Sequence, residues 1–411
     1  MKKSKIIFAS IFGNALEFYD FTLYGSFAFI IAHIFFPPSD PFSSILQSLG
    51  VFAVGFLMRP FGAAVFGYIG DKFGRKKALT FSILLMGIPT LIMGIMPSFA
   101  TVGWFAPIMI ILCRLLQGLC TGGEYNGAAI FALEHVGRDY PGLTGGLITG
   151  SAGIGALLAM GVSILVCHPC MPEWGWRLAF IAGTLASLWG WYVRIHMAES
   201  PAFKRLQSEH KISKSPLKDA LLNHKRAAFV TMIFGAFDGV LSYIVFVFLD
   251  VFLELHLHYS DMLSKSVTLL SIFIFTLGSP FMGFMLDKFR RTAFLQLCAV
   301  IIFLGGLPTF WLLNAGALPT IILASIIFGL MAASIAGAQH AYVQNLFPTK
   351  DRYSGIAFSF SFGMSIGGLT PFILTKILEV TQHYAFLALY VMAWSALCFF
   401  ALHLSQKIKR T

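Results

Sequence analysis

The chain has 411 residues, 57% of them hydrophobic and only 11% charged, with a formal net charge of +11 and a mean hydropathy of +0.79. A soluble globular chain carries roughly 25% charged residues, so water is not the main solvent of this molecule. The positive balance marks neither a nucleic-acid footprint nor a ligand site, because the cations are confined to particular segments.

Apolar runs long enough to cross a bilayer, about 20 residues each, lie near 6–35, 45–69, 78–97, 102–133, 142–167 and 176–196, then near 226–255, 264–286, 292–313, 318–346, 353–380 and 383–404. Backbone groups in lipid must satisfy one another, so these runs predict twelve transmembrane helices, called helix 1 to helix 12 here. Barrel strands would be half as long and would alternate. The first run exceeds a signal-peptide core, lacks a small-residue cleavage site, and holds two carboxylates in "GNALEFYDF", so no cleaved leader is expected. With the N-terminus placed in the cytoplasm, 23 of the 29 Lys and Arg fall on the inner side. That is the positive-inside bias, and it predicts that both termini are cytoplasmic. The six others, Arg59, Arg114, Arg177, Arg194, Lys265 and Lys376, are intramembrane or near a helix end.

An ionisable group at mid-bilayer costs roughly 2.5–3.5 kcal/mol on insertion scales, so the polar positions are informative. Helix 1 carries Asn14, Glu17, Asp20 and Tyr24, and Glu17, Asp20 and Tyr24 share a stripe at i, i+3, i+7. Burial and like charge both oppose full ionisation of two carboxylates one turn apart. Glu17 and Asp20 are therefore candidates for reversible protonation, with Glu124 and Asp238 behind them. The alternative is that one of the pair only bridges Arg59 or Arg114. Helix 4 carries Arg114, Gln117, Thr121, Glu124 and Tyr125; helix 7 carries Asp238, Ser242 and Tyr243; helix 10 carries Gln339, His340, Tyr342, Gln344 and Asn345. Helices 3, 9 and 12 hold no acid or base in their central spans. Arg114 is suited to a solute carboxylate, as a forked donor, or to a helix 1 acid. Arg59, followed by Pro60, reads as structural. His340 is the histidine worth testing; His33, at the outer end of helix 1, carries little weight.

Between helices 2 and 3, "GYIGDKFGRKK" (67–77) gathers an Asp and four cations. Asp71 is placed to face the positive N-terminal end of helix 11, near Tyr353, and Arg75 to reach an acid such as Glu134. The phrase recurs 216 residues on: Gly67, Asp71, Lys72, Phe73 and Arg75 match Gly283, Asp287, Lys288, Phe289 and Arg291, while Gly74 is replaced by Arg290. Asp139 and Gly142 match Asp351 and Gly355. A repeat of half the chain predicts two homologous six-helix bundles, 1–196 and 226–411. The polar stretch 197–225 between them reads as a cytoplasmic linker. Parallel repeats place a site near the midplane, between the bundles.

The phrases "GNALEFYDFTLYG" (13–25), "VGFLMRPFG" (54–62), "GDKFGRKK" (70–77), "RLLQGLCTGGEYNGA" (114–128) and "ESPAF" (199–203) resemble the major facilitator superfamily, and within it the metabolite:proton symporters of proline/betaine, α-ketoglutarate, citrate and shikimate. The resemblance implies an all-α membrane fold of twelve helices in two pseudo-symmetric bundles. In that fold helices 1, 4, 7 and 10 line a central cavity and the third helix of each three-helix unit faces lipid. It also implies that Gly67, Asp71, Gly74, Arg75 and Glu134 latch the cytoplasmic side of the outward-open carrier. Gly283, Asp287 and Arg291 would form the second latch, joining helices 8 and 5. Osmosensing members carry a C-terminal coiled-coil extension; with the chain ending at Thr411, an osmosensing role is not expected.

The expectation is a secondary active transporter, a multi-pass protein of the bacterial cytoplasmic (inner) membrane, coupling proton entry to symport of a small polar solute. The protonation set is Glu17, Asp20, Glu124 and Asp238; the solute set is Asn14, Tyr24, Arg114, Gln117, Tyr125, Ser242 and His340. Charges of both signs favour a proline- or betaine-type zwitterion, since helices 7 and 10 add no cations for a dicarboxylate. The alternatives are a carboxylate–proton symporter, an uncoupled facilitator or exporter, and a non-transporting receptor. Enzyme activity, an organic cofactor and a metal are not expected. The partners expected are solute, proton and lipid bilayer, without nucleic acid, for a monomer. Glycines in helices 5 and 11 read as close-packing interfaces. Cys113, Cys120, Cys298 and Cys398 read as core residues, and "CHPC" (167–170) as a local disulfide in an oxidising periplasm.

Overall fold

The computed structural model describes residues 3–37, 41–137, 139–166 and 170–407. Cys167, and with it the proposed pairing to Cys170, lies outside them. Every regular element among the described residues is helical.

The first six long helices are α1 (Lys3–Ser26, resumed as Ala28–Phe35), α2 (Pro41–Lys72), α3 (Arg75–Ile95), α4 (Phe105–Val136), α5 (Pro141–Val166) and α6 (Trp176–Ile195). The second six are α7 (Lys225–Tyr243, continued by Ile244–Phe248 and Leu249–Leu255), α8 (Asp261–Lys288), α9 (Arg291–Asn314), α10 (Leu318–Val343), α11 (Arg352–Gly367 and Thr370–Thr381) and α12 (Tyr384–Ser405). Each lies on one of the predicted runs. Eleven helices are long and apolar enough to cross a membrane among the described residues, and α2, at 32 residues, completes twelve. Large apolar side chains face outward in a way water would not tolerate: Leu304 is 67% exposed and Phe372 73%. Lipid is their solvent.

Interruptions within the spans have local causes. At Phe27 the backbone leaves helical geometry, yet Phe27 N–H donates to Leu23 O at 3.1 Å and Ile31 N–H to Phe27 O at 2.9 Å, so the ladder crosses the break. α11 breaks after Gly367 because Pro371 offers no N–H and its ring crowds the carbonyl four residues back. In α7 the five residues Ile244–Phe248 form one π-helical turn, a local widening often found beside functional positions.

Contacts divide the chain into two units, Met1–His135 with Ser151–Leu217, and Val136–Gly150 with Lys218–Thr411. α5 contributes to both. In the first unit α3 packs on α6, α2 runs against α4 where Gly118 meets the Gly55 backbone, and α1 is tied to α5 by Asn14 Nδ2 donating to Ser151 Oγ at 2.9 Å. In the second unit α9 packs on α12, α8 on α10 and α7 on α11. The same pairing by rank thus occurs in each. The predicted linker is more ordered than a tether. It forms two short helices, Pro201–Ser208 and Pro216–Asn223, the first capped by Ser200 Oγ accepting from Phe203 N at 3.1 Å, with Pro201 at the first helical position.

Candidate functional site

The first hairpin closes on a fully buried guanidinium. Arg75 and Asp71, 0% and 1% exposed, pair at 3.2 Å, and Arg75 Nε meets Glu134 Oε2 at 3.3 Å. Arg75 Nη1 also donates to Gly70 O at 2.9 Å. Glu134 Oε2 accepts from Ser200 Oγ at 2.5 Å, while Glu199 accepts from Lys76 N–H at 3.2 Å and from Ser200 N–H at 2.7 Å. The "ESPAF" phrase is therefore part of the hairpin: its acid covers the Lys76 N–H at the start of α3, and its serine caps the next helix. The Ser-Pro step is the sequence signal for that cap. Gly74 lies at φ 115° and ψ 146°, nearly exclusive to glycine, and a Cβ there would strike the Glu199 carboxylate. Gly74→Ala is expected to destabilise the protein by about 1–3 kcal/mol, read as a lower unfolding midpoint in detergent.

The second copy is built differently. Asp287 accepts from Gly142 N–H at 2.7 Å and Leu143 N–H at 2.9 Å, holding the N-terminus of α5 as an anion does. Gly283 abuts Gly142, and Arg291 Nη1 donates to Ala341 O at 3.0 Å.

Most of the buried charged side chains outside the hairpin in the first unit fall into two groups. In one, Arg194 Nη2 pairs with Glu124 Oε1, and Ser82 Oγ donates to Glu124 Oε2. Arg194 Nη1 donates to Leu79 O at 2.8 Å. Glu17 joins this group: the charges acting on it are Glu124, Arg59 and Arg194. Neither Glu17 oxygen has a hydrogen-bond partner among the described residues, and neighbouring Thr121 donates to Gln117 O at 3.0 Å. In the other group Arg114 Nη1 donates to Gln117 Oε1 at 3.1 Å, Gln117 Nε2 to Thr90 Oγ1 at 3.0 Å, and Thr90 Oγ1 to Asp20 Oδ2 at 3.0 Å. The Arg114 guanidinium lies 4.4 Å from the Tyr24 ring centre and 5.1 Å from that of Phe21. Arg59 lies over Phe21 and Phe56. Tyr125, half-buried, meets Phe18 edge-on at 5.7 Å.

Two sequence expectations are corrected by this geometry. The like charge facing Glu17 is Glu124, not Asp20, whose hydrogen-bonding neighbour is Thr90. Residues at i, i+3 sit one turn apart but are rotated by about 60°, enough to send them to different helices. α3 is not simply lipid-facing: Ser82 and Thr90, 1% and 0% exposed, bond directly to the two acids. Arg194, one of the six cations away from the inner side, is 4% exposed and holds Glu124. No spacing in the sequence marks that pair, because the partners are on separate helices.

In the second unit Asp238 is 1% exposed, and its Oδ1 has no hydrogen-bond partner among the described residues. Ser242, half-buried, lies just before the π turn. His340, 2% exposed, packs by Gly145 of α5, and Gln339 Nε2 donates to Thr149 Oγ1 at 3.4 Å. Cys113, Cys120, Cys298 and Cys398 are buried free thiols.

The Major Facilitator Superfamily profile matches residues 10–371. The chain belongs to the major facilitator superfamily. The inner membrane metabolite transport protein YhjE of Escherichia coli is 33% identical over 99% of this chain and 95% of its own. A proline/betaine transporter of Salmonella typhimurium is 31% identical over 95% of this chain and 81% of its own. The shikimate transporter of Escherichia coli is 31% identical over 93% and 90%. The solved structure of the proton:xylose symporter XylE bound to 6-bromo-6-deoxy-D-glucose has the same fold, with a TM-score of 0.83 and 15% identity over 100% of this chain and 96% of its own. As a member of the major facilitator superfamily the chain is a multi-pass solute transporter of the bacterial inner membrane, not an enzyme.

Proposed function

We propose that this member of the superfamily is a proton-coupled symporter of a small zwitterion of the proline or betaine kind, working by alternating access. The observation that carries the reading is the buried chain from Arg114 through Gln117 and Thr90 to Asp20: a forked cation for a solute carboxylate and an acid for a proton, joined by hydrogen bonds. Beyond the hairpin pair of Asp71 and Arg75, the buried acids of the first unit, Glu17, Asp20 and Glu124, are matched by Arg59, Arg114 and Arg194. That balance suits a solute with no net charge. Protonation removes the cost of enclosing a buried carboxylate, so the loaded bundles rock as a monomer with both termini in the cytoplasm. In this reading Asp20 or Glu17 carries the proton, with Glu124 and Asp238 behind them. Asn14, Tyr24, Arg114, Gln117, Tyr125, Ser242 and His340 form the solute set, and the two hairpins latch the cytoplasmic side. The second reading is a carboxylate solute, favoured by the likeness to the shikimate transporter.

The test is uptake into proteoliposomes under an inward proton gradient, with proline, betaine, shikimate and dicarboxylates supplied in turn. Proline or betaine is expected to accumulate, and only while the gradient lasts. Accumulation of carboxylates alone selects the second reading. Uptake indifferent to the gradient overturns both.

A further inference from the structure

We infer that Thr90 of α3 is a positioning residue that follows the charge of Asp20 by turning its hydroxyl, while keeping Gln117, and through it the guanidinium of Arg114, in place. The inference rests on the proposed role of Asp20 as a proton carrier. Thr90 has one hydroxyl proton and two acceptors in reach, Asp20 Oδ2 at 3.0 Å and Met86 O at 3.1 Å. Its oxygen also accepts from Gln117 Nε2 at 3.0 Å. With Asp20 ionised, the hydroxyl donates to the carboxylate and accepts from Gln117. With Asp20 protonated, the acid O–H donates to Thr90, the hydroxyl turns to Met86 O, and the second lone pair keeps Gln117. Asp20 Oδ2, the Thr90 hydroxyl and Gln117 Nε2 keep a partner in either state, so the acid is able to change charge without orphaning these neighbours. Turning of one hydroxyl is the only rearrangement needed.

The surroundings leave Thr90 in that role. On α1, Tyr19 OH donates to Ala179 O at 3.0 Å, and Glu17 is engaged by Arg59 of α2, Glu124 of α4 and Arg194 of α6. Cys120 of α4 lies by Glu124 and Glu17. On the α6 side Asp20 Oδ1 meets Gly183, where a Cβ would come within 2.5 Å. That oxygen has no hydrogen-bond partner among the described residues. Among the described residues, Thr90 is the side chain that hydrogen-bonds Asp20.

The experiment measures gradient-driven uptake against external pH for wild type, Thr90→Val, Thr90→Ser and Asp20→Asn in proteoliposomes, with solute exchange measured alongside. A hydrogen bond to a charged group is worth more than one to a neutral group, so losing the hydroxyl penalises ionised Asp20 most. The pH of half-maximal uptake is then expected to rise by about one unit in Thr90→Val. KM should rise too, because Gln117 loses its acceptor and Arg114 its fixed partner. Thr90→Ser restores the wild-type profile. If Thr90→Val fails to assemble, Thr90→Ala removes the same hydroxyl and predicts the same shift. An unmoved profile in the hydroxyl-free variants, or an equal shift in Thr90→Ser, overturns the inference while Asp20→Asn still reports on coupling. Should Asp20→Asn itself keep gradient-driven accumulation, the proton-carrier reading of Asp20 falls and this inference with it.

Discussion

Asp20→Asn is expected to abolish solute accumulation driven by a proton gradient while leaving solute exchange in place. The amide has the shape of the acid and still offers an oxygen to Thr90, which stands 3.0 Å from the native carboxylate, so the buried site keeps its packing. What it loses is a proton that comes and goes. With one proton per solute, each pH unit of gradient supports about tenfold accumulation, and in the variant the ratio should fall to about one. The permanently neutral side chain imitates the loaded carrier, so both sides of the membrane remain accessible in turn and labelled solute still exchanges. Accumulation that persists at the wild-type ratio would move the proton to Glu17 or another acid; loss of exchange as well would point to a folding defect.

The second large effect lies in the other group. Arg194→Met is expected to destabilise the protein by about 3–5 kcal/mol, because it leaves Glu124 buried without its cation. Glu124 is 2% exposed, and beyond Arg194 its hydrogen bond comes from the Ser82 hydroxyl. The loss should appear as a lowered unfolding midpoint in detergent and a reduced yield of monodisperse protein. Adding Glu124→Gln should recover much of it, since the variant pair then buries no unmatched charge. A double variant no more stable than Arg194→Met would show that the guanidinium matters mainly through Leu79 O, which it reaches at 2.8 Å, rather than through the acid.

The amino-acid sequence determined the helices themselves. Lipid offers no hydrogen bonds to the backbone, so each apolar run of bilayer length has one option, and the runs near 264–286 and 292–313 became Asp261–Lys288 and Arg291–Asn314. The reach of Arg75 to Glu134 was also legible, because it follows from two helix ends on the same side; the pairing of Arg75 with Asp71 one turn away is not part of that reading, which directs Asp71 at helix 11. The charge pairing of the interior was not legible. A helical wheel gives the direction of Glu17, Asp20 and Glu124 around their own axes, but not which neighbouring helix stands there or how closely. Only the packing of α3 and α6 within the first unit brought Arg194 to Glu124 and Thr90 to Asp20. Partners 70 residues apart in sequence leave no periodic trace, and that is why tertiary structure alone decided how these acids are held.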